Sequence, residues 1–294
     1  MTNTLLILVS VLTFAANGLS TRGFQLHCAR SNRDTCLYQT MYCLVGAVAY
    51  FVQAGFRFTL NPLQLVCAAA FGVFFASASL ASAACYLCGP MSLTSVITNS
   101  SVVLPILYSC ITLHESVTVP QFIGCLLLLL TFALSAILND SPGTHKRVNL
   151  RWLLFVLLSF ASNGITAILQ KQYKLAAPVG DGYDFMGVAY LTSAVVMFVA
   201  ALCNKRPDNA AGKVRAPVLW GVFVLLAGLG SFVGNGVLLQ LSTQVPASLL
   251  YPFVNGGLCV TISIFSMLLF REKFTVRKAI VIAVGLASVI VLNL

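Results

Sequence analysis

The residues of this chain that could bind a ligand are neutral polar side chains within apolar stretches. Two groups of four have the spacing i, i+4, i+7, i+11, which places each group on one face of a helix. The groups are Thr13, Asn17, Ser20, Phe24 and Ser159, Asn163, Thr166, Gln170. An asparagine amide can donate and accept, so two such faces could line a cavity for amides, carboxylates, hydroxyls or sugars. The alternative is that these side chains hydrogen-bond neighbouring helices, as Ser, Thr and Asn do in membranes.

Two other stretches combine polar residues with residues that disturb helices. They are Asn99, Ser100 and Pro105 in the first, and Tyr251, Pro252, Asn255 and Gly256 in the second. Proline lacks the backbone donor, and inside a membrane the freed carbonyl needs protein or water as its partner. We expect both stretches to line the cavity, with simple packing bends as the alternative. The predicted substrate-binding residues are Thr13, Asn17, Ser20, Asn99, Ser100, Ser159, Asn163, Thr166, Tyr251 and Asn255.

Side chains suited to catalysis or metal binding do not come together in this sequence. The histidines lie in different connections between apolar stretches, at His27, His114 and His145. Cys85 and Cys88 form one CxxC without the second pair that a metal site needs. We therefore predict that the protein is not an enzyme and has no catalytic residues, no metal and no cofactor.

Ionisable residues are also missing from the middle of the apolar stretches, where such groups are costly and usually functional. Asp184 lies at the start of one stretch, whereas Glu115 and Glu272 lie in turns. We interpret both glutamates as structural residues, with a role in gating or coupling as the alternative. No Lys or Arg lies deep in a stretch, so phosphorylated sugars are not the predicted cargo.

The composition identifies the solvent that surrounds most of the chain. The 294 residues are 59% hydrophobic and only 8% charged, with a mean hydropathy of +0.94. Soluble domains have roughly a quarter charged residues, so lipid must cover most of this surface. The net charge of +10 does not indicate nucleic-acid binding, because the basic residues lie almost entirely between apolar runs.

The length of each apolar run predicts transmembrane helices, since about 20 residues cross a bilayer. Ten runs qualify, at 3–22, 35–55, 63–87, 91–113, 119–138, 150–172, 184–203, 217–240, 245–270 and 275–294. None shows the alternation of a membrane barrel. The predicted fold class is therefore an all-α integral membrane protein with ten transmembrane helices.

The two halves of the chain resemble each other. Residues 13–20 (TFAANGLS) parallel residues 159–166 (SFASNGIT), and residues 115–119 (ESVTV) parallel residues 272–276 (EKFTV). Because a unit of five helices is odd, the second copy must be inverted relative to the first, as in many secondary transporters. The predicted organisation is a first five-helix repeat at 1–140, a linker at 141–149 and an inverted repeat at 150–294.

The basic residues predict the orientation. The loops after spans 1, 5, 7 and 9 hold most of the 17 Lys and Arg, whereas the opposite side has only Arg57, Lys171 and Lys174. The positive-inside rule then places the basic loops in the cytoplasm and both termini outside the cell.

The stretch 244–257 (QVPASLLYPFVNGG), followed by LLFREK at 268–273 and a last apolar helix, resembles the drug/metabolite transporter superfamily. It is similar to the ten-helix EamA-like transporters and to the last two helices of the small multidrug resistance proteins. This resemblance implies transport without naming the cargo. EamA-like transporters generally have cytoplasmic termini, whereas the loop charges here predict the opposite.

The comparison with small multidrug resistance proteins also implies a difference in mechanism. Those proteins bind protons and cationic drugs at a first-helix glutamate, and the matching residues here are Asn17 and Asn163. Lys171 fits the lysine that follows that glutamate, and Tyr251 fits their site tyrosine, but Val254 replaces a tryptophan. Proton-coupled extrusion of cationic drugs by that mechanism is therefore not expected.

The sequence thus predicts a secondary transporter that moves a small polar or amphipathic metabolite, not a cationic drug, by alternating access. The alternative is a lipid or polyprenyl-carrier flippase of the same fold. The expected partners are a small-molecule substrate and the lipid bilayer of the cell membrane, with no nucleic acid. Because a duplicated chain can close a cavity by itself, both a monomer and a homodimer remain open.

Overall fold

The computed structural model describes residues 2–29, 31–88, 94, 97–138, 150–177, 182–204, 217–270 and 276–292. These residues are helical apart from short turns, and no strand occurs among them. The helices are α1 Thr2–His27, α2 Asn32–Gln53, α3 Pro62–Cys88, α4 Val103–Thr112, α5 Val119–Leu138, α6 Leu150–Ala176, α7 Tyr183–Cys203, α8 Pro217–Leu241, α9 Ala247–Phe270 and α10 Val276–Leu292. The predicted linker at 141–149, together with His145 and Glu272, lies outside the described residues.

The helices have apolar side chains on their outer surfaces as well as between them. Six of them (α1, α2, α3, α6, α7 and α8) are long and apolar enough to cross a membrane, and shorter apolar helices occur at 97–112, 119–134 and 247–262. Exposed side chains such as Leu63, Ile111 and Val218 have more than two thirds of their surface uncovered. An apolar outer surface of this extent requires lipid around it, so the chain is a multi-pass membrane protein.

Helices from the beginning of the chain pack mainly on helices from its end. The most extensive pairs are α1 with α8, α2 with α7, α3 with α6, and α5 with α10. Small residues allow close approach where α1 meets α8 and where α3 meets α7. A Cβ added to Gly72 of α3 would lie 2.3 Å from the backbone oxygen of Ala189 in α7, and one added to Gly230 of α8 would lie 2.6 Å from that of Thr13.

The two proline-containing stretches have different local structures. Ser100–Val102 forms a 3₁₀ turn directly before α4, and Pro105 then lies in the first turn of α4, where a missing N–H breaks no helical bond. Pro252, by contrast, lies within α9. Residues of both stretches, among them Pro105 and Tyr251, line one internal cavity.

Candidate functional site

A cavity of about 420 Å³ lies at the centre of the helices, within the size range of small-molecule sites. Its walls come from α1, α2, α3, the turn that precedes α4, α4 itself, α6, α8 and α9. Among the described residues, no charged side chain lines it. The cavity is therefore a neutral site with mixed polar and aromatic walls, and it is shared by both halves of the chain.

Half of the predicted binding residues line this cavity. They are Asn17 of α1, Asn163 and Thr166 of α6, and Tyr251 and Asn255 of α9. Asn17 and Asn163, which occupy matching positions in the two sequence repeats, therefore meet in one site.

The other five predicted residues do not line the cavity. Ser20 donates to the Phe223 backbone oxygen at 2.8 Å and joins α1 to α8. Ser159 lies 2.7 Å from the Ser82 hydroxyl and joins α6 to α3. Thr13 donates to the Val9 oxygen of its own helix. Asn99 is exposed, and Ser100 belongs to the 3₁₀ turn. For Ser20 and Ser159, the structure thus has the helix-to-helix contacts named as the alternative.

Several cavity residues were absent from the sequence-based set. They are Phe14, Tyr42, Phe71, Phe75, Ser79, Ser101, Gln170, Ser231 and Asn235. Gln170 continues the helix face of Asn163 and Thr166, so its spacing was a usable signal. Phe71 and Phe75 lie on the largely apolar α3, and Tyr42 is one of three tyrosines of α2, so for these residues the sequence pattern does not distinguish cavity lining from packing.

The side-chain amides of the cavity are anchored through their nitrogens. Asn17 donates to the Ala227 oxygen at 3.0 Å and Gln170 donates to the Asn235 backbone oxygen at 2.9 Å. Asn163 and Asn255 each donate at 2.9 Å to the carbonyl four residues earlier in their own helix. Asn235 donates to the Ser231 oxygen at 3.1 Å and to the Tyr190 hydroxyl at 2.8 Å.

A largely buried ion pair lies next to the cavity lining, at Lys171, which follows the lining residue Gln170. Lys171, which is 2% exposed, donates to the Ser109 hydroxyl at 3.0 Å and to the Glu115 carboxylate. The second carboxylate oxygen accepts from the backbone N–H of Ala247 at 2.9 Å. We call Lys171, Ser109, Glu115 and Ala247 the end cluster. It joins α4, α6 and the first residue of α9, one helical turn before Tyr251.

This cluster changes the interpretation of Lys171. The sequence placed Lys171 and Lys174 beside a loop, but α6 continues to Ala176 and both lysines are buried, at 2% and 6% exposure. Glu115 does lie in a turn as expected, and its carboxylate is what compensates the buried ammonium group. A buried charge is tolerated only with such a partner.

A second carboxylate fixes the same side of the bundle. Asp184, at the start of α7, accepts from the Thr59 hydroxyl at 2.6 Å and from the Thr59 N–H at 3.1 Å. This contact ties the connection between α2 and α3 to α7. No group of three or more His, Cys, Asp or Glu able to hold a metal occurs in the described parts of the chain.

Comparisons with known proteins agree with this architecture. The profile of the EamA-like transporter family matches residues 150–294. This half of the chain belongs to that family. The EamA-like half contains α6 to α10, and with them Asn163, Lys171 and Tyr251 of the cavity region. EamA-like proteins are membrane transporters of small molecules and not a family of enzymes.

Solved structures match the whole chain and not only its EamA-like half. Among 28 matching chains, one crystal structure of a protein with 14% sequence identity has a TM-score of 0.76 and covers 99% of this chain and 96% of its own. At this identity the match shows a shared fold. No curated protein matches the sequence.

Proposed function

We propose that this protein is a secondary transporter that moves a small polar or amphipathic metabolite across the cell membrane by alternating access. The observation that carries the proposal is the central neutral cavity, which has walls from both halves of the chain. A lining of amides, hydroxyls and aromatic rings can exchange water for a small solute at a moderate cost in free energy. It contains no catalytic set of side chains among the described residues.

The helix contacts support two inverted five-helix units, at 1–140 and 150–294, as the basis of this transport. An inverted repeat equates α1 with α6 and α3 with α8, so the contact of α1 with α8 must recur as α6 with α3. Both contacts are present and extensive. The contacts of α2 with α8 and of α7 with α3 form a second such pair. Transporters of this construction place the substrate between the repeats and rock one against the other.

The end cluster supports alternating access because it joins the two halves of the chain one helical turn beyond the lining residues Pro105 and Tyr251. Glu115 and Ser109 belong to the first half, whereas Lys171 and Ala247 belong to the second. Opening this end requires the two halves to separate at these contacts. In the orientation that the basic loops predict, this end and both termini lie outside the cell.

Reconstitution into liposomes tests transport directly. Purified protein should accelerate the entry of at least one labelled amine, sugar, nucleoside or amino acid over protein-free liposomes. Asn17→Leu combined with Asn163→Leu should abolish that flux. Asn204→Leu is the matched control, because Asn204 also donates to the carbonyl four residues earlier but does not line the cavity. Unchanged flux in the double variant would remove the cavity from the mechanism.

A lateral groove favours the flippase as a second candidate. This groove of about 360 Å³ is lined by apolar residues of α1 and α8 and by three side chains with polar ends, namely Leu6, Phe232, Val233, Gly236, Val237, Gln53, Tyr183 and Gln240. Such a surface suits an acyl chain with a polar end. Competition of solute flux by lipid phosphates, and by no water-soluble compound, would favour lipid transport.

A further inference from the structure

The orientation of five amides decides which atoms the cavity offers to a ligand. Asn17, Asn163, Gln170, Asn235 and Asn255 all line the cavity. In each of them the amide nitrogen donates to a backbone carbonyl oxygen. A carbonyl can only accept, so the side-chain nitrogen must face it and the side-chain oxygen must point elsewhere. None of these five oxygens accepts a hydrogen bond from the described part of the chain.

Two hydroxyl groups of the lining repeat this arrangement. Thr166 donates to the Asn163 backbone oxygen at 2.7 Å, and Tyr251 donates to the Ala167 oxygen at 3.1 Å. Their protons are therefore used, while their oxygens can still accept. The donors that remain are second amide N–H groups and the hydroxyls of Tyr42, Ser79, Ser101 and Ser231. Each amide oxygen has two lone pairs, so acceptor positions outnumber donor positions.

The lining is unfavourable for anions. A carboxylate or phosphate would find no positive side chain among the described lining residues. Lys171, which follows Gln170, already binds Glu115 and Ser109. The lining also contains the aromatic rings of Phe14, Phe71 and Phe75, a residue type whose π-electrons attract cations. Oxygen dipoles of this kind can replace the hydration of a cation, as they do in ion channels.

We propose that the central cavity recognises a primary or secondary ammonium group carried on an apolar body. Such a group has two or three N–H donors and no acceptor, which complements the surplus of oxygens. Quaternary cations lack N–H donors and do not meet this requirement, which separates the ligand from quaternary ammonium compounds. The proposal rests on the proposed function only in taking this cavity as the substrate site.

A matched set of four compounds tests the headgroup on the full-length protein in detergent. The compounds are 2-phenylethylamine, its N,N,N-trimethyl derivative, 3-phenylpropionate and phenylalanine. We expect 2-phenylethylamine to bind at least about tenfold more tightly than each of the others, since one hydrogen bond to a charged group has about this effect. Equal or tighter binding of any other compound overturns the proposal, and so does a failure of all four to bind.

Variants of lining residues distinguish binding of 2-phenylethylamine in the cavity from its non-specific partitioning into the detergent micelle. Asn163→Leu and Asn255→Leu each remove one acceptor whose anchor lies in its own helix, so the contacts between helices remain. Each should weaken 2-phenylethylamine binding about tenfold, whereas Asn204→Leu should leave the Kd unchanged. Equal affinity in Asn163→Leu, Asn255→Leu and the unmodified protein overturns the proposal. The compound series on the unmodified protein remains decisive if a variant does not fold.

Flux measurements distinguish a failure of this proposal from a failure of transport. Preferential amine binding without flux in liposomes would support the amine site and contradict the transporter. Flux of a sugar or nucleoside without amine binding would support the transporter and overturn the amine site.

Discussion

The ion pair in the end cluster allows a quantitative prediction. Lys171 is 2% exposed and Glu115 is 25% exposed, so loss of the carboxylate leaves a charge that water cannot reach. Removing one partner of a buried pair costs about 3–5 kcal/mol. Glu115→Ala should therefore lower the free energy of unfolding by about that amount. At roughly 2 °C per kcal/mol for a chain of this size, the Tm should fall by about 6–10 °C.

The reverse substitution should be milder. Lys171→Met keeps a long apolar side chain, and Glu115 can then hydrate while it still accepts from Ala247. The double variant Lys171→Met/Glu115→Ala should be more stable than Glu115→Ala alone, because no uncompensated charge is buried. Coupling between contacting residues of this kind is about 0.5–3 kcal/mol. Arg57→Met, which removes an exposed charge near the same side of the bundle, should have no effect on the Tm.

Thermal unfolding of the purified variants in one detergent measures all four values. If the two single effects simply add in the double variant, the ion pair is not a coupled buried pair and the reasoning fails. Labelling of a cysteine placed at residue 251 gives a second readout. Its reactivity from the outer side should rise when Glu115 is lost, because the closed end then opens more often. Unchanged labelling would contradict the role of the cluster in closing that end.

Three other predictions concern packing and anchoring. Gly72→Ala should destabilise the protein by about 1–3 kcal/mol, because the new Cβ would meet the Ala189 backbone oxygen. A Cβ at Gly221 meets nothing within 4 Å, so Gly221→Ala should be neutral. The Tm values of the two variants test this difference. Asp184→Asn and Thr59→Val should each cost about 1–2 kcal/mol and combine to less than their sum in unfolding experiments, since they break one contact. Asn17→Leu should lower both the Tm and ligand affinity because it also breaks the bond to Ala227, whereas Asn163→Leu should lower affinity with a smaller change in Tm; equal Tm losses would contradict this assignment.

The membrane class and the helical segments followed from the sequence because they depend on composition and run length. The structure has a helix within each apolar run that the sequence identified. The pairing of Asn17 with Asn163 in one cavity followed from their matching places in two similar segments. These features are local or repeated, so the sequence alone contains them.

Features that depend on how helices rotate and end were not accessible in the same way. Ser20 and Asn17 share a helix face by spacing, but only Asn17 reaches the cavity because the contact with α8 covers Ser20. Lys171 resembled a surface residue until the extent of α6 and the position of Glu115, 56 residues earlier, were known. Aromatic lining residues are indistinguishable from lipid-facing ones within a uniformly apolar helix.

The anchoring of two amides on α8 has a consequence for energy coupling. The oxygens of Asn17 and Gln170 are aimed by bonds to the Ala227 and Asn235 carbonyls, which both belong to α8. A displacement of α8 relative to α1 and α6 would change the direction of both side-chain oxygens at once. The ligand affinity of the cavity would therefore differ between the two conformations. A ligand shifts an equilibrium by its difference in affinity between the states. Binding of the ligand would then shift the equilibrium between the two conformations through the position of α8.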